Sequence, residues 1–247
     1  MVVPTPLHEK IGLACLRAGV HCLIEKPLAT TVEEAERLHN LAESRRVILQ
    51  VGHVERFNPA VQEAQRHITD PRFIQAVRLG PYDPRVSHVG VVLDLMIHDL
   101  DIILDLVRAP VVQLQAVGVQ VFSEHEDVAN ARLTFSNGCV ADVSASRVSL
   151  VPQRTIRVFQ SDGCVSLDYM EQELRIYRAK AGSNGTPREI EALRPKLEKG
   201  EPLRAELQHF LDCIREGQRP LVGGEHGRDA LALAMEILEQ VKLARAG

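Results

Sequence analysis

No apolar stretch in the 247-residue chain approaches the ~18–20 residues that a helical membrane span needs. Nor is there a block of like charge. Lysine and arginine number 29 against 33 acidic residues, a net charge of -4, and the two signs are mixed along the chain. That balance argues against nucleic acid as a partner and against a disordered acidic tail. There is no Cys-x-x-Cys pair. Five cysteines, Cys15, Cys22, Cys139, Cys164 and Cys213, make an odd number. They read as reduced core thiols of a cytoplasmic protein, with no disulfide framework and no metal site expected from them. Met1-Val2-Val3-Pro4-Thr5-Pro6 has neither a charged leader region nor a cleavage site, so no secretory signal is expected. Internal repeats and low-complexity segments are absent too. What remains is ordinary globular composition, 45% hydrophobic and 25% charged, enough for one large domain or two small ones.

The first sixty residues alternate helix and strand. Leu7 to Ala18 places Ile11, Ala14, Cys15 and Ala18 on one predicted helical face, and Gly19 ends it. Val20–Ile24 is a buried-type strand. Thr30 or Thr31 caps a second helix, with Glu33 and Glu34 in its first turn, where the helix dipole favours acid. Val32, Ala35, Leu38 and Leu41 face inward from it. Val47–Val51 is another strand, so the order predicts right-handed crossovers and a parallel sheet. After Pro59 the character changes. A helix over 60–68, a strand over Phe73–Leu79 and a helix over Leu93–Val107 precede a run of strands: Val111–Phe122, Ala129–Phe135, Val140–Ser146, Thr155–Gln160, Cys164–Asp168 and Leu174–Tyr177. Asn137-Gly138 and Ser161-Asp162-Gly163 are hairpin turns, so this second sheet is expected to be mostly antiparallel. Gly182-Ser183-Asn184-Gly185 reads as a loop. Helices over Leu203–Glu216, ended by Gly217 and Pro220, and Gly227–Ala244 close the chain.

Four stretches carry a resemblance. They are Thr5-Pro6-Leu7-His8; Ala18-Gly19-Val20-His21-Cys22-Leu23-Ile24-Glu25-Lys26-Pro27-Leu28-Ala29; Asp94-x-x-x-His98-x-x-Asp101; and the helices from Pro202 to the end. Together they resemble the glucose-fructose oxidoreductase/inositol dehydrogenase/rhizopine-catabolism (Gfo/Idh/MocA) family of nicotinamide-dependent oxidoreductases, over nearly the whole chain. Met96 stands where that family usually has glycine. The family's Gly-x-Gly-x-x-Gly half is not found, and Gly223-Gly224-Glu225-His226-Gly227 lacks the strand-to-helix context to replace it. The expectation is therefore an α/β protein, N-terminally truncated. Residues 1–57 would be the C-terminal remnant of a parallel, doubly wound Rossmann domain without its ADP-binding half. Residues 58–247 would be an α+β domain with a large, mostly antiparallel sheet. Gly52-His53-Val54-Glu55-Arg56-Phe57-Asn58-Pro59 and Val92–His98 resemble the branch that acts on nucleotide-activated sugars.

The resemblance implies NAD or NADP as cofactor, a small-molecule sugar or nucleotide sugar as substrate, and a homo-oligomer formed through the C-terminal sheet. It places Thr5, Pro6, His8, Glu25 and Lys26 at the cofactor, Pro6 and His8 by the nicotinamide ribose and Glu25 on a ribose hydroxyl. It also implies a cis bond at Lys26-Pro27. An ammonium at a strand end can steady a developing alkoxide or share its proton; without the flanking matches the plainer reading of Lys26 would be a surface lysine ending a strand. Asp94, His98 and Asp101 share one helical face. His98 is the candidate general base, Lys26 its assistant, and Asp94 orients the imidazole or meets a sugar hydroxyl. The plainer readings are a surface Asp94–His98 pair, or a zinc pair with no third ligand in view. His53, Arg56 and Asn58 are candidate substrate contacts, with Arg56 suited to a pyrophosphate. An interdomain salt bridge and an Asx-turn at Asn58-Pro59 explain two of them equally well. Thr5 could be only a helix cap. Three activities stay open: oxidation of a sugar CH–OH, nicotinamide-dependent glycoside hydrolysis within the same family, and a non-catalytic oligomerisation module.

Overall fold

The structure, a computed structural model, describes residues 1–180 and 189–246, with side chains to residue 242. The loop expected at Gly182–Gly185 lies outside the described residues. A short 3-10 turn, Thr5–Leu7, runs into α1, His8–Arg17. β1, Cys22–Glu25, α2, Val32–Arg45, and β2, Leu49–Gly52, complete the first unit, and β1 and β2 pair in parallel. Thr31 caps α2 by accepting from the Glu34 N–H at 3.3 Å. Glu34 reaches back to the Thr30 N–H at 3.0 Å, so donors at the helix start are satisfied from both sides.

The predicted inner face of α1 is wrong. Ala14 and Ala18 are exposed, Ile11 and Cys15 are half-buried, and the buried residues are His8, Gly12 and Leu16. Gly12 explains the rotation: a Cβ there would lie 2.7 Å from Leu38 Cδ2 on α2. The helix turns inward the face whose missing side chain lets α2 approach. The β1–β2 pair does not present bare edges either. The Glu25 N–H donates to the Met1 carbonyl at 3.2 Å on one side. On the other, the Val51 N–H donates to the Val222 carbonyl at 3.0 Å, and Gln50 bridges Gly223.

The second unit begins with α3, Pro59–Gln65, and β3, Phe73–Leu79. A wide π-helical turn, Val92–Met96, leads into α4, Ile97–Val107. Then follow β4, Val111–Val119, β5, Val128–Phe135, β6, Val140–Ser146, β7, Gln153–Gln160, β8, Gly163–Asp168, β9, Glu173–Lys180, and β10, Glu189–Leu193. α5, Pro202–Glu216, and α6, Gly224–Ala246, end the described chain. The eight strands lie in the order β10-β9-β8-β7-β3-β6-β5-β4. Every pairing is antiparallel except β3 with β6. Gly138 takes φ +84° in the β5–β6 hairpin, and Gly217 takes +66° at the end of α5, conformations that favour glycine.

One face of the large sheet carries the main core: Ile74, Ala76, Leu133, Val143, Ile156 and Val158 pack with Met96, Ile97 and Leu100 around α4 and Ile237 of α6. The opposite face carries Gln75, Gln115, Asn130, Arg132, Asp142 and Ser144, and no described helix covers it. The smaller core of the first unit, with Ile24, Leu38 and Val51, takes in Val222 and Leu231 from the end of the chain. The closing helices thus tie the two units together and set the carboxyl ends of β1 and β2 against the start of α4. Among the described residues no helix is long and apolar enough to cross a membrane.

Candidate active site

Glu25 and Lys26 stand at the carboxyl end of β1, before a cis Lys26-Pro27 bond. Lys26 Nζ donates to the Asp94 carbonyl at 2.6 Å and to Asp94 Oδ1 at 3.1 Å, joining residues 68 apart. Asp94 lies in the π-helical turn, and the loop between β4 and β5 holds that turn in place. Glu126 accepts from the Val91 N–H with its carbonyl at 3.0 Å and from the Val92 N–H with Oε1 at 3.2 Å. Gly90 makes room for it, since a Cβ there would fall 1.9 Å from Glu126 Oε1. Asp94 therefore holds the lysine. It makes no hydrogen bond to His98 among the described residues.

His98 sits one turn further on, half-buried, and its Nδ1 has no hydrogen-bond partner. Burial, and then the positive charges of Lys26 and Arg78, hold its pKa well below the ordinary histidine value, so it is neutral at pH 7. His53 follows β2 and is 1% exposed, with neither ring nitrogen partnered. Its ring lies 6.2 Å from that of His98, edge to face. Burial first, then Lys26, Arg56 and His226, push its pKa down to about 3. Lys26, Asp94, His98 and His53 thus form one cluster. It combines an ion pair still touching water with three ring nitrogens free of protein partners.

The other expected site residues divide. Thr5 is half-buried and caps nothing with its side chain, Pro6 is exposed, and the half-buried Glu25 makes no side-chain hydrogen bond among the described residues. These three stay accessible. His8 does not. It is buried, with Nδ1 3.0 Å from the Pro27 carbonyl and Nε2 2.9 Å from the Val3 carbonyl. With a carbonyl against each ring nitrogen, the ring links the cis-proline turn to the chain's first residues and turns neither nitrogen toward a ribose. Arg56 is buried against Asp101, at 3.1 Å, and Asp105, so the salt bridge replaces the expected pyrophosphate contact. Asn58 is buried too: Oδ1 accepts from the Ala60 N–H, and Nδ2 donates to Glu55 and to the Tyr169 carbonyl. It caps α3, as the Asx-turn alternative has it.

Sequence reasoning missed a buried support under the site. Arg78 donates Nε and Nη2 to the two Asp99 oxygens at 2.8 and 3.0 Å, and Nη1 to Glu55 Oε1 at 3.0 Å. Burial disfavours its charged form, and Asp99 and Glu55 outweigh that. The signal was there: Ile74, Ala76 and Arg78 alternate on the inward face of β3, so the arginine is the odd member of an apolar row. Glu126 was marked only by the unexplained Gly90. Glu206 on α5 is fully buried with both carboxylate oxygens unpartnered, and burial, with Glu25 nearby, raises its pKa to about 8. Nothing in its helical pattern reveals that.

A parallel strand pair with a lysine at its carboxyl end, facing a helix that packs on a large open sheet, is a two-part α/β architecture. Residues 1–53 match the family model described as an oxidoreductase family with an NAD-binding Rossmann fold, and residues 63–166 match the GFO/IDH/MocA C-terminal domain. The chain is 38% identical over 238 residues to UDP-N-acetylglucosamine 3-dehydrogenase of Acidithiobacillus ferrooxidans, covering 96% of this chain and 76% of that protein. It is 27% identical to scyllo-inositol 2-dehydrogenase (NAD(+)) of Bacillus subtilis, covering 90% and 68%. The solved Acidithiobacillus enzyme superposes with a TM-score of 0.92 over 98% of this chain and 78% of that one. Levoglucosan dehydrogenase in complex with NADH and levoglucosan shares the fold, with a TM-score of 0.86 at 21% identity over 98% and 77%. The chain belongs to the glucose-fructose oxidoreductase/inositol dehydrogenase/rhizopine-catabolism family.

Proposed function

We propose that this protein serves NAD(P)-dependent oxidation of a sugar CH–OH to a ketone, with a nucleotide sugar of the UDP-N-acetylglucosamine kind as substrate. The observation that carries the reading is the Lys26–Asp94–His98 cluster, where the first unit supplies a cation and the second a neutral base. The 38% identity to the Acidithiobacillus enzyme supports the choice of substrate. The boundary falls at residue 57/58, with the cofactor held by residues 1–57 and the substrate by 58–247.

The residues at the strand end fit the nicotinamide half of such a cofactor. Glu25 offers a carboxylate without a protein hydrogen bond, and Thr5 and Pro6 are open to solvent at the start of the chain. When bound, NAD(P) supplies the hydride acceptor. His98 takes the hydroxyl proton, because a neutral imidazole with an open nitrogen can accept it. Lys26 steadies negative charge growing on the substrate oxygen, and Asp94 fixes where the ammonium points. His53 packs edge to face beside His98. The uncovered sheet face, with Val117, Val119 and Phe159 exposed, is where a second copy would join. Incubation of the chain with UDP-N-acetylglucosamine and NAD+ or NADP+ tests the reading. Reduced nicotinamide and a keto sugar should accumulate together. Free sugar without net reduced nicotinamide would instead mean glycoside hydrolysis, and neither product would sink both.

A further inference from the structure

Asp101 completes the helix face of Asp94 and His98, yet the chemistry above gives it no task. Its carboxylate is buried and Oδ2 accepts no hydrogen bond. Arg56 is the cation beside it, and Arg56 also contacts Asp105, which Arg108 meets at 3.9 Å, so Asp101 shares its one guanidinium while Asp105 has two. Gln65 Nε2 donates to Asp105 as well. Asp105 is therefore the better-satisfied partner, and Asp101 carries the surplus charge in the drier position. Burial, opposed by Arg56, raises the Asp101 pKa to about 7, where a carboxylate both takes and releases protons.

Two further features flank it. Outward lies a pocket of about 390 Å³ lined by Asp101, Leu104, Asp105, Arg108, His226 and Asp229, with Arg108 and Asp229 exposed to water at its mouth. Inward lies His53, and both His53 and Asp101 lie within electrostatic reach of Arg56 and His226. His98 Nδ1 and both nitrogens of His53 have no protein partner, and Asp101 Oδ2, 3.1 Å from Arg56 Nε, makes no aligned hydrogen bond. Such atoms find their hydrogen bonds in water. Among the described residues no three ligating side chains are arranged to hold a metal ion.

We propose that His53 and Asp101 form a proton path from His98 to the pocket behind α4, with ordered water bridging the rings and the carboxylate. The origin of the proton rests on the dehydrogenase reading; the path does not. As the substrate C–H bond gives its hydride to the nicotinamide, the O–H proton passes to His98. His98 releases a proton from its other nitrogen. His53 accepts at one nitrogen and releases at the other, and Asp101 passes the proton to pocket water. The net change is one proton moved from the substrate oxygen to solvent. Neither ring has to store a charge, which suits an imidazole as hard to protonate as His53. His53 and Asp101 touch no reacting atom and act through His98.

Histidine-selective nitrogen NMR on the intact chain, without cofactor or substrate, tests the path. The His53 ring N–H should exchange with water far faster than the neighbouring Val51 amide, despite equal burial. Asp101→Asn keeps the shape and removes the proton carrier, and should slow that exchange by about tenfold or more. An unchanged rate in the variant would overturn the path. So would a ring N–H in the unaltered chain as protected as Val51, a result that needs no variant to fold. Under turnover, Asp101→Asn should lower kcat by about tenfold, leave KM in place and enlarge the solvent deuterium isotope effect. An unchanged isotope effect would count against the path. Absence of turnover in the unaltered chain would count against the dehydrogenase reading instead, and the exchange rates would still decide the path.

Discussion

His98 and Asp99 are neighbours on one helix and live under opposite rules. Asp99 points into the core, where Arg78 grips both of its oxygens and Glu55 takes the remaining guanidinium edge. His98 faces the cleft, neutral, with a ring nitrogen that no protein group satisfies. Buried charge with every partner in place fixes a shape, and buried polarity left open leaves something for a ligand or a proton to do. The helix turns one residue to rigidity and the next to chemistry, so that a firm network lies directly beneath a reactive ring.

The sharpest way to break that contrast is to remove the grip. Arg78→Leu strands two buried carboxylates and should cost about 3–5 kcal/mol in urea unfolding, or prevent folding. A loss under about 1 kcal/mol would mean the network is not the support it looks like. The converse change is His98→Asn. Turnover should fall about 10²–10³-fold with the urea midpoint nearly unmoved, since no protein partner is lost. Equal losses of stability and turnover would erase the distinction between the two neighbours.

Glu206 of α5 tests the same idea where the closing helices meet the first unit. Its folded-state pKa is raised from 4.5 to about 8, above that of the unfolded chain. Between those values the folded state keeps a proton that the unfolded state lacks, so stability falls as pH rises from about 4.5 to about 8. Glu206→Gln should be nearly neutral at pH 5 and stabilise by about 2 kcal/mol at pH 8, shown by thermal melts across that window. Asp101 titrates in the same sense, so some slope should remain in the variant. The smallest effect belongs to a well-satisfied surface group. Thr31→Ala removes the α2 cap and should cost about 1 kcal/mol by urea unfolding, without touching turnover.

Much of the fold was legible from local pattern. β3 and β6 end where alternation ends, and the hairpin glycine stands where the turn needs it. Three departures have physical causes. The strand expected to reach Phe122 stops at Val119 because Asp127 captures the N–H groups of Val121, Phe122 and Ser123 and turns the chain. β10 was not foreseen because all five residues are exposed and show no buried face. The parallel β3–β6 pair joins strands far apart in the chain, which no local periodicity records. In the site, the types Lys26, Asp94 and His98 were readable, whereas His8, Arg56 and Asn58 carry the same local signals whether they meet a ligand or the core.

By itself the sequence determined the periodicities, the caps and turns, the family motifs and the kinds of side chain available, because backbone preference and alternation are set by near neighbours. Only the tertiary structure decided which groups are satisfied and which are open. Lys26 found Asp94 across 68 residues, Arg56 was drawn into a buried salt bridge, and Glu206 and Asp101 were left without hydrogen-bonding partners for a carboxylate oxygen. Desolvation and pairing depend on what the rest of the chain brings alongside, and there the difference between a structural polar group and a functional one is made.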